Sequence, residues 1–149
     1  MCGAVRWEVP VKKLALFILA YFAISMAWAY PWHMIWFHDL YVSWGAFQRA
    51  EPIMALGVLS MLIQGAVIGY LYPFYYRGGN PVLQGVKFTL IIGLLIYTVM
   101  GFATAAKFNI EPVAAFLLYH TAFQAVQFIL TGAALGWIYR DLREARRAV

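Results

Sequence analysis

In 149 residues the chain holds 64% hydrophobic and only 11% charged side chains, at a mean hydropathy of +0.74, where soluble domains hold about 45–50% and about 25%. A soluble globular domain and a disordered chain are thereby excluded. Eleven Lys and Arg against six Asp and Glu leave a net charge of +5, but the basic residues sit at the ends of apolar runs rather than in a patch open to water, so no nucleic-acid partner is expected.

Four stretches carry no Asp, Glu, Lys or Arg: 14–38, 52–76, 88–106 and 112–139, of 25, 25, 19 and 28 residues. A transmembrane helix needs about 20 apolar residues at about 1.5 Å each. The pattern predicts an all-α, single-domain integral membrane four-helix bundle over 1–149, with spans at about 14–31, 52–76, 86–106 and 112–139 and a basic tail at 140–149. Arg6, Lys12 and Lys13 precede a run that closes on Ala27-Trp28-Ala29, as a leader peptide would. That run exceeds the usual leader core of about 7–15 residues, so a retained span is expected. The single cysteine, Cys2, excludes an internal disulfide and any multi-cysteine zinc or redox motif.

Basic residues orient the spans. With the N-terminus cytoplasmic, nine of the eleven Lys and Arg fall inside, and only Arg49 and Lys107 fall outside. Positive-inside bias counts Lys and Arg in short loops, so the expected location is the plasma (inner) membrane with both termini cytoplasmic. Continued as a helix, the tail would place Arg140, Arg143 and Arg147 on one face. Such a face anchors topology and attracts anionic lipid headgroups.

Between the first two spans, Pro31 should kink or end the helix. Trp32, Trp36, Leu40 and Trp44 then recur every fourth residue, predicting a short helix in the outer interface, where Trp and Tyr settle. It serves as an aromatic anchor or as a lid over a cavity mouth.

The second and fourth spans share a grammar. Glu51-Pro52 and Glu111-Pro112 open them, with Pro suited to the first helical position. Each closes on G-A-x-x-G-aromatic-aliphatic-Tyr, from Gly65 and Gly69 to Tyr72 and from Gly132 and Gly136 to Tyr139. Small residues at four-residue spacing let helix backbones approach in lipid. Gly93, Tyr97, Gly101 and Ala105 continue the theme in the third span. Two duplicated helical hairpins of the same order follow as one reading; shared membrane-helix grammar is the other.

His120, Gln124, Gln127 and Thr131 share one face of the fourth helix, and Ser60 and Gln64 form a shorter stripe on the second. Aligning the glycine pairs sets Ser60 against Gln127 and Gln64 against Thr131. The stripes act as interhelical glue or line a cavity for a small lipophilic or polar ligand, with Trp36 at its mouth. His120 stands about eight residues past Pro112, roughly 12 Å along its helix, on the same side as His33 and His38. His33, His38 and His120 together make a candidate metal set, and His120 with one of the others a candidate haem pair, although H-x4-H-D fits no established ligand spacing.

No charged residue lies within a charge-free run, which disfavours a proton-coupled carrier. No phosphate loop, paired nucleophile or HExxH motif is present, so no enzyme is expected. Trp28-Ala29-Tyr30-Pro31-Trp32, Trp44-Gly45, Tyr119-His120 and Gly132-Ala133-Ala134-Leu135-Gly136 resemble an uncharacterised family of small bacterial four-span membrane proteins. The resemblance implies a fold and no activity. The expected function is ligand binding or the scaffolding of a membrane partner. The alternatives are a haem- or metal-binding subunit and a small oligomeric transporter or channel, whose pore would need a homo-oligomer.

Overall fold

The computed structural model describes residues 10–49 and 51–142. Among these described residues six helices follow one another: α1 (Val11–Tyr30), α2 (His38–Ser43), α3 (Met54–Tyr75), α4 (Pro81–Tyr97), α5 (Thr104–Lys107) and α6 (Val113–Ile138). Wide π-helical turns, Pro31–Trp36 and Thr98–Ala103, extend α1 and α4. Four helical runs are long and apolar enough to cross a membrane: Val11–Trp36, Met54–Tyr75, Pro81–Lys107 and Val113–Ile138. Their outward faces expose Leu94, Leu95, Leu118 and Leu56 by more than half, an apolar belt that water would penalise and lipid accepts. The chain is thus an all-α four-helix bundle with the anatomy of a small membrane protein.

Local chemistry shifts several expected boundaries. Pro31 widens the first helix instead of ending it: Phe37 N donates to the Trp32 carbonyl five residues back at 3.1 Å. A proline lacks the N–H that closes a regular turn, and a wider turn absorbs the loss. That widening breaks the expected tryptophan face, since Trp36 and Leu40 point outward while Trp44 is buried. Pro52 and Pro112 stand outside their helices, because Ile53 and Pro112 hold non-helical ψ values of 86° and 130°. The helix-opening proline is Pro81, so the third run begins well before residue 86; Asn80 Oδ1 caps it by accepting from Leu83 N at 3.2 Å. At the other end α6 stops at Ile138 instead of running into the tail, and Arg140 lies over the Trp137 ring at 5.1 Å. Arg143 and Arg147 lie outside the described residues.

Glycine decides which helices touch. α6 packs against α4 and α1, and α1 against α3. A Cβ on Gly65 would stand 3.3 Å from Ile18 Cα, and one on Gly69 would stand 2.8 Å from the Phe17 ring, so this pair seats α1. A Cβ on Gly132 would stand 2.7 Å from Val86 Cα, and one on Gly136 2.7 Å from Val82 Cα, so that pair seats α4. The second helix of each half thus receives the first helix of the same half on its glycine pair. Each half also repeats long helix, wide turn, short helix, Glu-Pro, long helix. The terminal tyrosines of the two motifs, Tyr72 and Tyr139, meet edge to face at 5.6 Å. Their hydroxyls donate to the carbonyls of Pro81 at 3.1 Å and Gly69 at 3.0 Å, locking the halves together.

Lys13 Nζ reaches Asp141 Oδ2 at 2.6 Å, which brings the start of α1 and the end of α6 to one end of the bundle. Lys12, Arg77 and Arg140 gather at this basic end, while α2, α5 and the three histidines mark the other, here the histidine end. The Lys13 ammonium, by hydrogen bond and by charge, holds the Asp141 carboxyl below its ordinary value. A depressed carboxylate contributes stability above its unfolded pKa and loses it as pH falls through the folded one. Asp141 is exposed, so solvent screens the pair. Asp141→Asn should therefore leave the thermal midpoint at neutral pH nearly unchanged and remove a small acid-side decline, measurable as melting curves between pH 7 and pH 3.

Candidate functional site

The polar stripes meet through a third helix. Gln127 Nε2 donates to Ser25 Oγ at 3.2 Å, Tyr21 OH donates to Gln64 Oε1 at 2.7 Å, and Gln64 Nε2 donates to Ser60 Oγ at 3.0 Å. α1 inserts Tyr21 and Ser25 between α3 and α6, so the expected pairings of Ser60 with Gln127 and of Gln64 with Thr131 do not form: Gln127 and Gln64 turn to α1, while Ser60 and Thr131 bond within their own helices. The reason is the glycine geometry: Gly65 and Gly69 face α1, not α6. Thr131 is fully buried and returns its proton to its own helix, at the Gln127 carbonyl, 2.8 Å. The two bonds that cross between helices, Gln127 to Ser25 and Tyr21 to Gln64, act as interhelical glue, each worth about 0.6 kcal/mol on average. The four-residue step from Tyr21 to Ser25 is the sequence signal for α1's share.

His120 is buried between the rings of Phe116 and Tyr97, at centroid distances of 5.4 and 5.8 Å. Gln124 Nε2 stands 3.4 Å from His120 Nε2; with the amide donating, the ring proton is on Nδ1. His33 packs on Phe123, Tyr41 and Phe47 at 4.4, 4.9 and 5.9 Å. The Nδ1 atoms of both histidines are buried without a partner among the described residues. His38 is exposed, shares Nδ1 with Asp39 Oδ1 at 3.2 Å, and lies across Phe47 from His33. Among the described residues no three of His, Cys, Asp and Glu come together to hold a metal ion. The set of His33, His38 and His120 is therefore not assembled: aromatic rings enclose the imidazoles of His33 and His120, and His38 is exposed on the far side of Phe47. Phe123 packs against both His33 and His120, filling ground that a haem plate would need.

The glycines of the third span divide in the same way. Gly93 receives the Phe128 ring of α6, whereas Gly101 faces only the ring of Tyr97 on its own helix and forms no interhelical ridge. The ridge instead runs toward the N-terminus through Thr89 to Gly85, whose backbone abuts Gly132 and Gly136. Thr89 Oγ1 donates across it to the Phe128 carbonyl at 2.7 Å.

A cavity lies elsewhere. The described contacts between α3 and α4 gather at the basic end, where Phe88 meets Tyr72 and Tyr75. At the histidine end a space of about 490 Å³ opens between the start of α3 and the α5 region, covered by the segment 34–49. That volume falls within the range of roughly 300–1,000 Å³ usual for small-molecule sites. Met34, Phe47, Ile53, Leu56 and Phe108 supply apolar walls, and His38, Gln48, Arg49 and Thr104 the polar ones. Trp44 and Tyr41 anchor the cover from behind: Trp44 packs on Tyr119 at 5.3 Å, and Trp32 Nε1 donates to Tyr41 OH at 3.2 Å. Burial raises the Tyr41 phenol above its ordinary pKa. A shallower groove of about 220 Å³ runs between α4 and α6 past Gly93 and Gln124.

Of the expected ligand residues, Gln124 alone borders either space; His120, Gln127, Thr131, Ser60 and Gln64 line neither, and Trp36 turns away onto Trp28 at 6.1 Å. Met34, Phe47, Arg49, Ile53, Leu56 and Phe108 escaped the sequence reading. Fold and site together define a four-span membrane protein with a roomy cavity, among the described residues, at the histidine end. No protein-family model, curated protein or solved structure matches the chain, so this reading rests on its own geometry.

Proposed function

We propose that this is a non-enzymatic protein of the plasma membrane, with both termini cytoplasmic, that holds a small lipophilic molecule in the cavity at the histidine end. The cavity itself carries the reading: its walls are apolar, its polar groups are few, and exposed Leu56 and Ile53 open it sideways toward lipid. Its lining supports a binding role over chemistry, since Thr104 Oγ1 is turned onto the Val99 carbonyl at 3.1 Å and offers no activated nucleophile. Scaffolding through the glycine ridges is less favoured, because Gly65, Gly69, Gly132 and Gly136 are already occupied by helices of this chain. Basic residues at one end support the cytoplasmic assignment of the termini and a contact between that end and anionic headgroups.

Native mass spectrometry of protein purified in mild detergent tests the proposal. Wild type should carry a bound lipophile, Leu56→Trp should lose it by filling the cavity, and Leu118→Trp, exposed and outside the cavity lining, should retain it. Equal occupancy in Leu56→Trp and wild type would sink the idea, as would a wild-type protein free of any small molecule.

A further inference from the structure

The charge pattern of the cavity identifies the class of molecule it takes, an inference that rests on the binding role just proposed. Arg49 is the one full charge among the lining residues, and no Asp or Glu lines the space. The ion pairs among the described residues join Lys13 and Arg140 to Asp141 and His38 to Asp39. None involves Arg49, although Glu51 lies two positions along the chain. Arg49 also makes no side-chain hydrogen bond among the described residues, whereas its neighbour Gln48 donates back to the Gly45 carbonyl at 3.5 Å. A guanidinium presents parallel N–H donors that match a carboxylate or phosphate. Below it the wall is hydrocarbon and aromatic, from Phe47 past Leu56 to Phe108, and Leu56 is 61% exposed, so a chain can enter from the bilayer while its head stays at the wet end. A cationic head would be repelled by the guanidinium, and a neutral one would leave it unused.

We propose that the cavity binds a single-chain anionic amphiphile, its carboxylate or phosphate on Arg49 and its hydrocarbon tail along Leu56 and Phe108. The protein in neutral detergent is titrated with oleate, oleyl phosphate and oleyl alcohol and followed by native mass spectrometry. Both anions should bind about tenfold or more tightly than the alcohol, the equivalent of one charge-assisted hydrogen bond. Arg49→Gln should bring the anions down to the level of the alcohol without changing the alcohol, and Arg49→Lys should keep part of the preference. Tighter oleate names a carboxylate head and tighter oleyl phosphate a phosphate head. Equal binding of alcohol and anions, or an anion preference that survives Arg49→Gln, overturns the charge assignment and leaves the binding role standing. Failure of all three lipids to bind wild type overturns both.

Discussion

Gly132→Ala should cost the bundle at least about 3 kcal/mol, the upper end of ordinary overpacking, seen as a large fall in the thermal midpoint in detergent. In lipid no hydrophobic force drives helices together, so association depends on close packing and on the few interhelical hydrogen bonds. At Gly132 the packing is backbone on backbone: an added Cβ would stand 2.7 Å from Val86 Cα and 2.9 Å from the Gly85 carbonyl oxygen. It would also collide with Thr89 Oγ1, the hydroxyl that bonds α4 to the Phe128 carbonyl at 2.7 Å. Backbone atoms cannot swing aside as a flexible side-chain tip can, so α4 must move away bodily and that bond is lost with it. A graded series isolates the cause. Gly57→Ala, with nothing within 4 Å of its Cβ, should be neutral or up to about 1 kcal/mol stabilising by helix propensity. Gly65→Ala, whose nearest neighbours lie at 3.2 and 3.3 Å, should fall between. If Gly132→Ala melts like Gly57→Ala, α4 and α6 do not meet as described.

The glycine grammar was legible because it is local: a residue without a side chain at four-residue spacing has one physical use in lipid, and the repeat from Gly65 to Tyr72 and from Gly132 to Tyr139 marked both interfaces. Which helix fills each groove was not legible. The same spacing serves any neighbour, and only the three-dimensional order shows Gly65 under Ile18 and Gly132 under Val86. Choosing α3 against α6 misassigned the polar partners in turn, since a stripe of Gln and Ser finds whatever hydroxyl the packing presents, here Tyr21 and Ser25. Gly85 was missed for a related reason. The ridge of the third span was traced from Gly93 toward the C-terminus, where Gly101 meets only its own Tyr97, although the same four-residue step runs back through Thr89 to Gly85.

The cavity was hidden in a different way. Its walls come from the segment 34–49, the start of α3 and the region of α5, and no periodicity within one segment reports a space between three. The chemistry pointed to histidines and tryptophans because these residues are rare and versatile, yet at this end they are structural: Trp44, Tyr41 and Tyr119 hold the cover in place, and His33 is wedged among aromatic rings. Arg49 stood out in the charge pattern only as one of two basic residues on the wrong side for topology. The structure places it on the cavity wall.

Gly45→Val should release that cover. Gly45 sits at φ +76°, a left-handed conformation that costs an L-residue about 1–2 kcal/mol and a β-branched one more. Its missing side chain also admits the Asn109 carbonyl, which would lie 2.7 Å from an added Cβ. Two backbone ties depend on this crossing: Glu111 N donates to the Trp44 carbonyl at 3.1 Å, and Ala46 N donates to the Tyr41 carbonyl at 2.9 Å. Once the turn is forced open, Phe47 and Arg49 leave the cavity wall while the glycine-packed helices below remain in place. Global melting should therefore fall less than in Gly132→Ala, whereas tryptic cleavage after Arg49 in the folded protein should rise by roughly five- to thirtyfold, the equivalent of a 1–2 kcal/mol loss of local stability. Gly45→Ala should show the smaller part of the same effect, since it adds the φ penalty and the Asn109 contact without a branched side chain. Bound lipophile should be lost in step with the cleavage rate. Unchanged cleavage in Gly45→Val would mean that the segment 34–49 is not held by this crossing, and retained lipophile despite rapid cleavage would mean that it is not a wall of the site.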